Sequence, residues 1–151
     1  MLPSPTQRSS NGRPRQIRYI QLALWGQAIF ALCGGNYVAL AVMTVSGMSM
    51  EELAEAGFHT QPPVGPMWGL VVALFLCCLF AAMAASRLGS QLPIARKWGI
   101  VASILYFLVG SALVVIAPNL VLILAIPLMA SVVSLSLLFT REVKEWFATE
   151  A

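Results

Sequence analysis

Charged residues are scarce in this chain, and their distribution is uneven. Only 10% of the 151 residues are charged, while 59% are hydrophobic. A soluble domain carries about 25% charged residues, so this chain has too few polar groups to cover a surface in water. The composition excludes an ordinary soluble domain and predicts that lipid surrounds much of the protein.

The residue types that carry catalysis or bind metals are also few. His59 is the only histidine, and none of the three cysteines lies in a C-x-x-C pair. Cys77 and Cys78 point about 100° apart on a helix, so they do not easily share a metal ion. The glutamates near His59 lack the spacing of a metal-ligand set. We therefore predict no catalytic, cofactor-binding or metal-binding residue, and we expect that the protein is not an enzyme.

Long apolar runs dominate what is present. They cover residues 19–45, 68–85, 98–117 and 120–139, and none contains Asp, Glu, Lys, Arg or His. A helix of about 20 apolar residues crosses the hydrocarbon core of a bilayer. The predicted fold is an all-α membrane protein whose transmembrane domain, residues 17–140, holds four transmembrane helices arranged as two antiparallel hairpins.

The first run is longer than a bilayer requires. Its 27 residues would extend about 40 Å as a helix, against a hydrocarbon core of about 30 Å. This helix must tilt, extend beyond the membrane, or break, and Gly34 with Gly35 is the candidate break. A signal peptide is the alternative, but the run is about twice the length of a normal signal-peptide core.

Small and polar residues on the first run indicate a close helix contact. Three of the small residues lie at four-residue steps, a pattern that lets another helix approach. The packing candidates are Gly26, Ala31, Gly35 and Ala39. Gln27 and Asn36 are candidates for lining a polar cavity, although ordinary hydrogen bonds between packed helices explain them as well.

The segment between the first two runs predicts a short amphipathic helix on the outer membrane surface. Ser49 and Glu52 have the spacing of a capping box, and apolar residues recur with a helical period over residues 48–57. Gly57 suits a left-handed helix end. We expect a solvated acidic face here rather than a cation site.

The two ends of the chain are polar. Residues 1–16 are rich in proline and arginine and predict a disordered basic tail. Residues 141–151 predict an amphipathic cytoplasmic tail with Val143, Trp146 and Phe147 on one side. We favour an interfacial anchor for this tail, and a docking peptide for a partner is the alternative.

Positive charge sets the expected orientation. All nine Lys and Arg residues lie beside the first run, in the C-terminal tail, or in the turn between the second and third runs. Trp98 is expected at the inner headgroup level beside this turn, and Trp68 at the outer headgroup level. The topology-setting candidates are Arg13, Arg15, Arg18, Arg87, Arg96 and Lys97. The positive-inside rule then places both termini in the cytoplasm of a multi-pass cell-membrane protein. We expect anionic lipid headgroups, and not nucleic acid, to be the partner of these cations.

Several short motifs resemble a loose group of small four-span membrane proteins of actinobacteria. They are R-P-R-Q-I-R before the first run, E-E-L-A-E-A-G after it, A-R-K-W at the third run and L-L-F-T-R-E-V-K-E-W-F at the end. The group has no assigned activity. The resemblance therefore implies a four-span architecture and nothing about a substrate.

These observations favour an integral membrane protein without catalytic machinery. We expect a structural or accessory subunit that packs with itself or with a larger membrane complex. The alternative is a small passive pore, a transporter or a holin-like protein. Proton-coupled transport is disfavoured because no span contains a titratable carboxylate or histidine.

Overall fold

All secondary structure in the described part of the chain is helical. The computed structural model describes residues 14–90, 92–116 and 121–148. The helices are α1 (Arg15–Ser46), α2 (Met50–Glu55), α3 (Val64–Arg87), a 3-10 turn (Leu88–Ser90), α4 (Pro93–Ile116), α5 (Val121–Leu138) and α6 (Arg141–Ala148). Of these, α1, α3, α4 and α5 are long and apolar enough to cross a membrane. The predicted all-α fold with four membrane helices is confirmed.

Helix α1 is continuous through Gly34 and Gly35, the candidate break in the sequence. It has 32 residues and passes through Gly34 and Gly35 as regular helix. At about 1.5 Å per residue it is roughly 48 Å long, so it must tilt or extend beyond a hydrocarbon core of about 30 Å. α3 begins at Val64, before the predicted start, because Pro66 is tolerated in the first helical turn.

Parts of three predictions lie outside the described residues. Residues 1–13 hold most of the predicted basic tail, including Arg13, while Arg15 already belongs to α1. The junction between the third and fourth runs, at Pro118 and Asn119, is also outside them, as are residues 149–151.

The membrane helices form a four-membered bundle in which α1 and α4 each pack against α3 and α5. Gln21 near the start of α1 donates a hydrogen bond to the carbonyl of Ala85 near the end of α3, at 2.9 Å. Further along α1, a Cβ at Gly35 would lie 3.5 Å from Leu74 in the first half of α3. The two helices therefore run in opposite directions.

The α4–α5 contact is also antiparallel. A Cβ at Gly99 would meet the side chain of Leu138 at 3.3 Å, and one at Gly110 would meet Leu128 at 2.7 Å. Phe80 of α3 stacks on Trp98 of α4, with ring centroids 5.5 Å apart. The start of α1, the end of α3, the start of α4 and the end of α5 thus meet at one end of the bundle. We call it the cationic end, for the charges described below.

Two apolar cores fill different levels of the bundle. The outer core contains Ala31, Cys77 and Tyr106. The inner core, at the cationic end, contains Ile17, Ile20, Leu24, Ala84, Ala85, Leu88, Ala95, Ala102, Leu138, Val143 and Phe147. The inner core is the larger of the two, so the bundle is packed more completely towards the cationic end.

Helix α6 belongs to the inner core. Val143 and Phe147 are 0% and 3% exposed, and Gln16 of α1 donates a hydrogen bond to the carboxylate of Glu142. The apolar side of this tail is therefore covered by the bundle. Val143 and Phe147 are therefore not available to the membrane surface or to a partner, whereas Trp146, the third apolar residue of the tail, is only partly buried.

Candidate functional site

Every cation in the described residues lies at one end of the bundle. They are Arg15, Arg18, Arg87, Arg96, Lys97, Arg141 and Lys144. Arg96 does more than carry charge, because its Nε donates to the carbonyl of Leu138 at 3.0 Å and its guanidinium lies 5.7 Å from the centre of the Phe139 ring. A carbonyl at a helix C-terminus lacks an intrahelical donor. Arg96 therefore ties the start of α4 to the end of α5.

The acidic loop lies at the opposite end. The backbone N–H of Ser49 donates to the Glu52 carboxylate at 2.7 Å, and the N–H of Glu52 donates to the Ser49 hydroxyl at 3.3 Å. The predicted capping box is therefore present. These hydrogen bonds with Ser49 hold the pKa of Glu52 below its usual value. Gly57 ends the segment with φ of 87°, a left-handed conformation that suits glycine.

No metal site accompanies this loop. In the part of the chain that the structure describes, no three His, Cys, Asp or Glu side chains come together as a potential ligand set. Glu51, Glu55 and His59 are all exposed. The geometry adds no support for a cation site there.

The packing candidates on α1 divide into two groups. Ala31 is 1% exposed, and a Cβ at Gly35 would touch Leu74 and Phe75. These two residues therefore serve the contact of α1 with α3 inside the chain. Ala39 is half-buried, whereas Gly26 is exposed and a Cβ there would have nothing within 4 Å.

The structure does not bring Gln27 and Asn36 into one cavity. Nine residues separate them, which at about 100° per residue places them on opposite sides of α1. Gln27 is 1% exposed and faces the bundle interior. Asn36 is exposed, and its Nδ2 donates to the carbonyl of Leu32 in the same helix at 2.8 Å. Only Gln27 is available for a site within the bundle.

Gln27 belongs instead to a buried polar layer with Ser103 and Ser134. Neither amide atom of Gln27 and neither serine hydroxyl has a hydrogen-bond partner among the described residues. The paired contacts of α4 and α5 bring Ser103 level with Ser134, and Gln27 lies between Leu24 of the inner core and Ala31 of the outer core. Of these three residues, sequence reasoning identified only Gln27, because a single serine in an apolar run gives no signal.

Beyond the polar layer, the bundle contains a partly open apolar cavity of about 430 Å³. Cys77 and Tyr106 of the outer core form part of its wall, so it lies in the half of the bundle away from the cationic end. All four membrane helices contribute to it. The lining residues are Phe30, Cys33, Gly34, Tyr37, Val38, Leu74, Cys77, Tyr106, Val109, Gly110, Leu113, Ile123 and Leu124. Sequence reasoning missed this cavity because it arises from the packing of helices distant in sequence.

Comparisons of the chain with protein-family models, with curated proteins and with solved structures find no match.

Proposed function

We propose that this chain is a structural or accessory subunit of the cell membrane, without catalytic machinery. It packs against a second copy of itself or a larger membrane complex through the side of α1 that faces away from the bundle. We call this side the outer face of α1. The residues of this face are exposed and lie within about 40° on either side of one line parallel to the helix axis. They are Leu22, Gly26, Ile29, Cys33, Asn36 and Leu40.

The position of Asn36 carries this proposal. Its neighbour Gly35 contacts Leu74 and Phe75, which lie about two turns inside Trp68, the expected headgroup residue of α3. Asn36 is thus roughly 10 Å from the membrane edge, with its amide towards lipid.

The Asn36 amide is only partly satisfied. Its Nδ2 bonds to Leu32, but no donor among the described residues reaches its Oδ1. An unsatisfied polar group in hydrocarbon is unfavourable, and an Asn that faces another helix removes the cost through an interhelical hydrogen bond. A second copy of α1 supplies such a donor from its own Asn36.

The outer face also offers the space that a close helix contact needs. Gly26 has nothing within 4 Å of the position of a Cβ, and Cys33 is small and exposed. Backbones approach closely where such small residues lie at the interface. The polar Asn36 and the open space at Gly26 therefore favour the same helix face.

The same geometry does not favour a pore through the bundle. Gln27 and Asn36 face opposite sides of α1, and the inner core fills the bundle between the buried polar layer and the cationic end. The orientation proposed here places the cationic end in the cytoplasm, against anionic headgroups.

Cys33 provides the test, because its thiol lies on the outer face three residues from Asn36. Thiol crosslinking in native membranes should give either a dimer of this chain or an adduct with another membrane protein, and Cys33→Ser should abolish it. Asn36→Leu should reduce the yield at least fivefold.

Ser136→Leu is the matched control. Ser136 is an exposed polar residue of α5 whose hydroxyl donates to the carbonyl of Val132 in its own helix. It lies on a different helix from the proposed contact, so its replacement should leave the yield unchanged. Absence of any Cys33 adduct, or an Asn36→Leu yield equal to that of the parent chain, would contradict the proposal.

A further inference from the structure

We propose that the apolar cavity between the four membrane helices binds one acyl chain of a membrane phospholipid. The cavity shares only Cys33 with the outer face of α1, and the inference stands independently of the proposed function. It rests on where the cavity lies, what lines it, how large it is, and how it opens.

The walls of the cavity match hydrocarbon. Its lining is aliphatic and aromatic, with the hydroxyls of Tyr37 and Tyr106 and the thiols of Cys33 and Cys77 as its weakly polar side-chain groups. No charged side chain lines it. Apolar cavities stay dry and take up apolar molecules, so the lining selects a hydrocarbon chain over water or an ion.

The cavity opens to the surroundings of the bundle. Phe30 and Tyr37 of α1 are 39% and 73% exposed, and Ile123 on α5 is 58% exposed, although all three line the cavity. These residues lie within helices that cross the membrane, so the medium at this opening is lipid. A chain from the adjoining leaflet enters laterally, while its headgroup stays at the membrane surface.

The volume fits a single chain. An apolar cavity of about 150 Å³ holds one benzene, with its six carbons. At the same density, the volume of about 430 Å³ accommodates roughly 17 carbons. That is the length of one common acyl chain, and the space is too small for both chains of a phospholipid.

Gly34 keeps part of this space open. A Cβ at Gly34 would meet only Leu74, at an ordinary contact distance of 3.9 Å. A larger side chain at this position therefore extends into the cavity without displacing the backbone of α3. Gly34→Leu is a filling variant that leaves the α1–α3 contact in place.

The experiment measures lipid retained by the full chain after purification in mild detergent. Extracted phosphorus and mass spectrometry of the extract should give about one phospholipid per parent chain. Gly34→Leu should reduce this at least fivefold. The matched control is Gly69→Leu on α3, where the glycine is exposed and nothing lies within 4 Å of a Cβ, and it should retain the parent amount.

A second filling variant guards against a folding defect in the first. Ile123→Trp enlarges an exposed side chain of the cavity wall from α5 and should also remove the retained lipid, with circular dichroism confirming helix content. Equal retention in the parent and both filling variants would overturn the proposal. So would a phosphate-free lipid as the molecule that the filling variants lose.

Discussion

Replacement of Gln27 by leucine should stabilise the bundle. Gln27 is 1% exposed, and neither its Nε2 nor its Oε1 has a hydrogen-bond partner among the described residues. A buried polar group without a partner costs about 1–3 kcal/mol. Leucine has similar size and a similar helix propensity, so Gln27→Leu should raise the free energy of unfolding by about 1–3 kcal/mol.

Gln21→Leu is the matched comparison on the same helix. Gln21 Nε2 donates to the carbonyl of Ala85 at 2.9 Å, which ties α1 to α3. Loss of this hydrogen bond should lower the free energy of unfolding by about 1 kcal/mol. Unfolding by SDS in mixed micelles, followed by circular dichroism, gives both values. If Gln27→Leu lowers the free energy of unfolding by about 1 kcal/mol or more, the Gln27 amide has a hydrogen-bond partner. That result would refute the claim that the buried polar layer lacks hydrogen bonds.

Three further changes should each destabilise a different part of the structure. Gly110→Ala should destabilise by about 1–2 kcal/mol in the same SDS assay, because its Cβ would lie 2.7 Å from Leu128 and force that side chain to move. Phe147→Ala should cost about 3 kcal/mol, since this side chain is 3% exposed in the inner core. Acid should loosen α2, because hydrogen bonds with Ser49 lower the pKa of Glu52 in the folded state. The stability that the capping box contributes is present above the unfolded pKa of Glu52 and is lost as the pH falls through its folded pKa. Hydrogen exchange between pH 6 and pH 3 should show this loss, and Ser49→Ala should remove its pH dependence.

Each of these changes has a control nearby. Gly69→Ala adds a Cβ in open space on α3 and should stabilise by about 0.5–1 kcal/mol. Lys144→Ala removes an exposed side chain of α6 and should change stability by less than about 0.5 kcal/mol. Glu51→Gln should leave the exchange profile of α2 as in the parent chain. If Gly110→Ala and Gly69→Ala have the same effect on stability, the close approach of α4 and α5 is wrong.

Runs of uncharged residues were sufficient to predict the helices, because a bilayer leaves few alternatives to a helix in such a run. The continuity of α1 through Gly34 and Gly35 was not predictable, since the sequence does not show that Gly35 lies close to Leu74 and Phe75. The side of the helix on which Asn36 lies was likewise fixed only by the neighbours of α1.

Packing also decided the parts of the site that the sequence missed. The amphipathic period of the C-terminal tail predicted one apolar side, but not that Val143 and Phe147 would join a core built from all four membrane helices. The cavity has the same origin, because its walls come from four helices. Hydropathy along one helix reports that a face is apolar, and it does not report whether a protein helix or a lipid fills the space beside it.

Thiol labelling with a membrane-impermeant reagent tests the arrangement most directly, because Thr60 and Ser86 are both exposed and lie at opposite ends of the bundle. In intact cells Thr60→Cys should be labelled, while Ser86→Cys should be labelled only after permeabilisation. The reverse pattern, or labelling of both positions in intact cells, would contradict a four-helix membrane bundle with its cationic end in the cytoplasm.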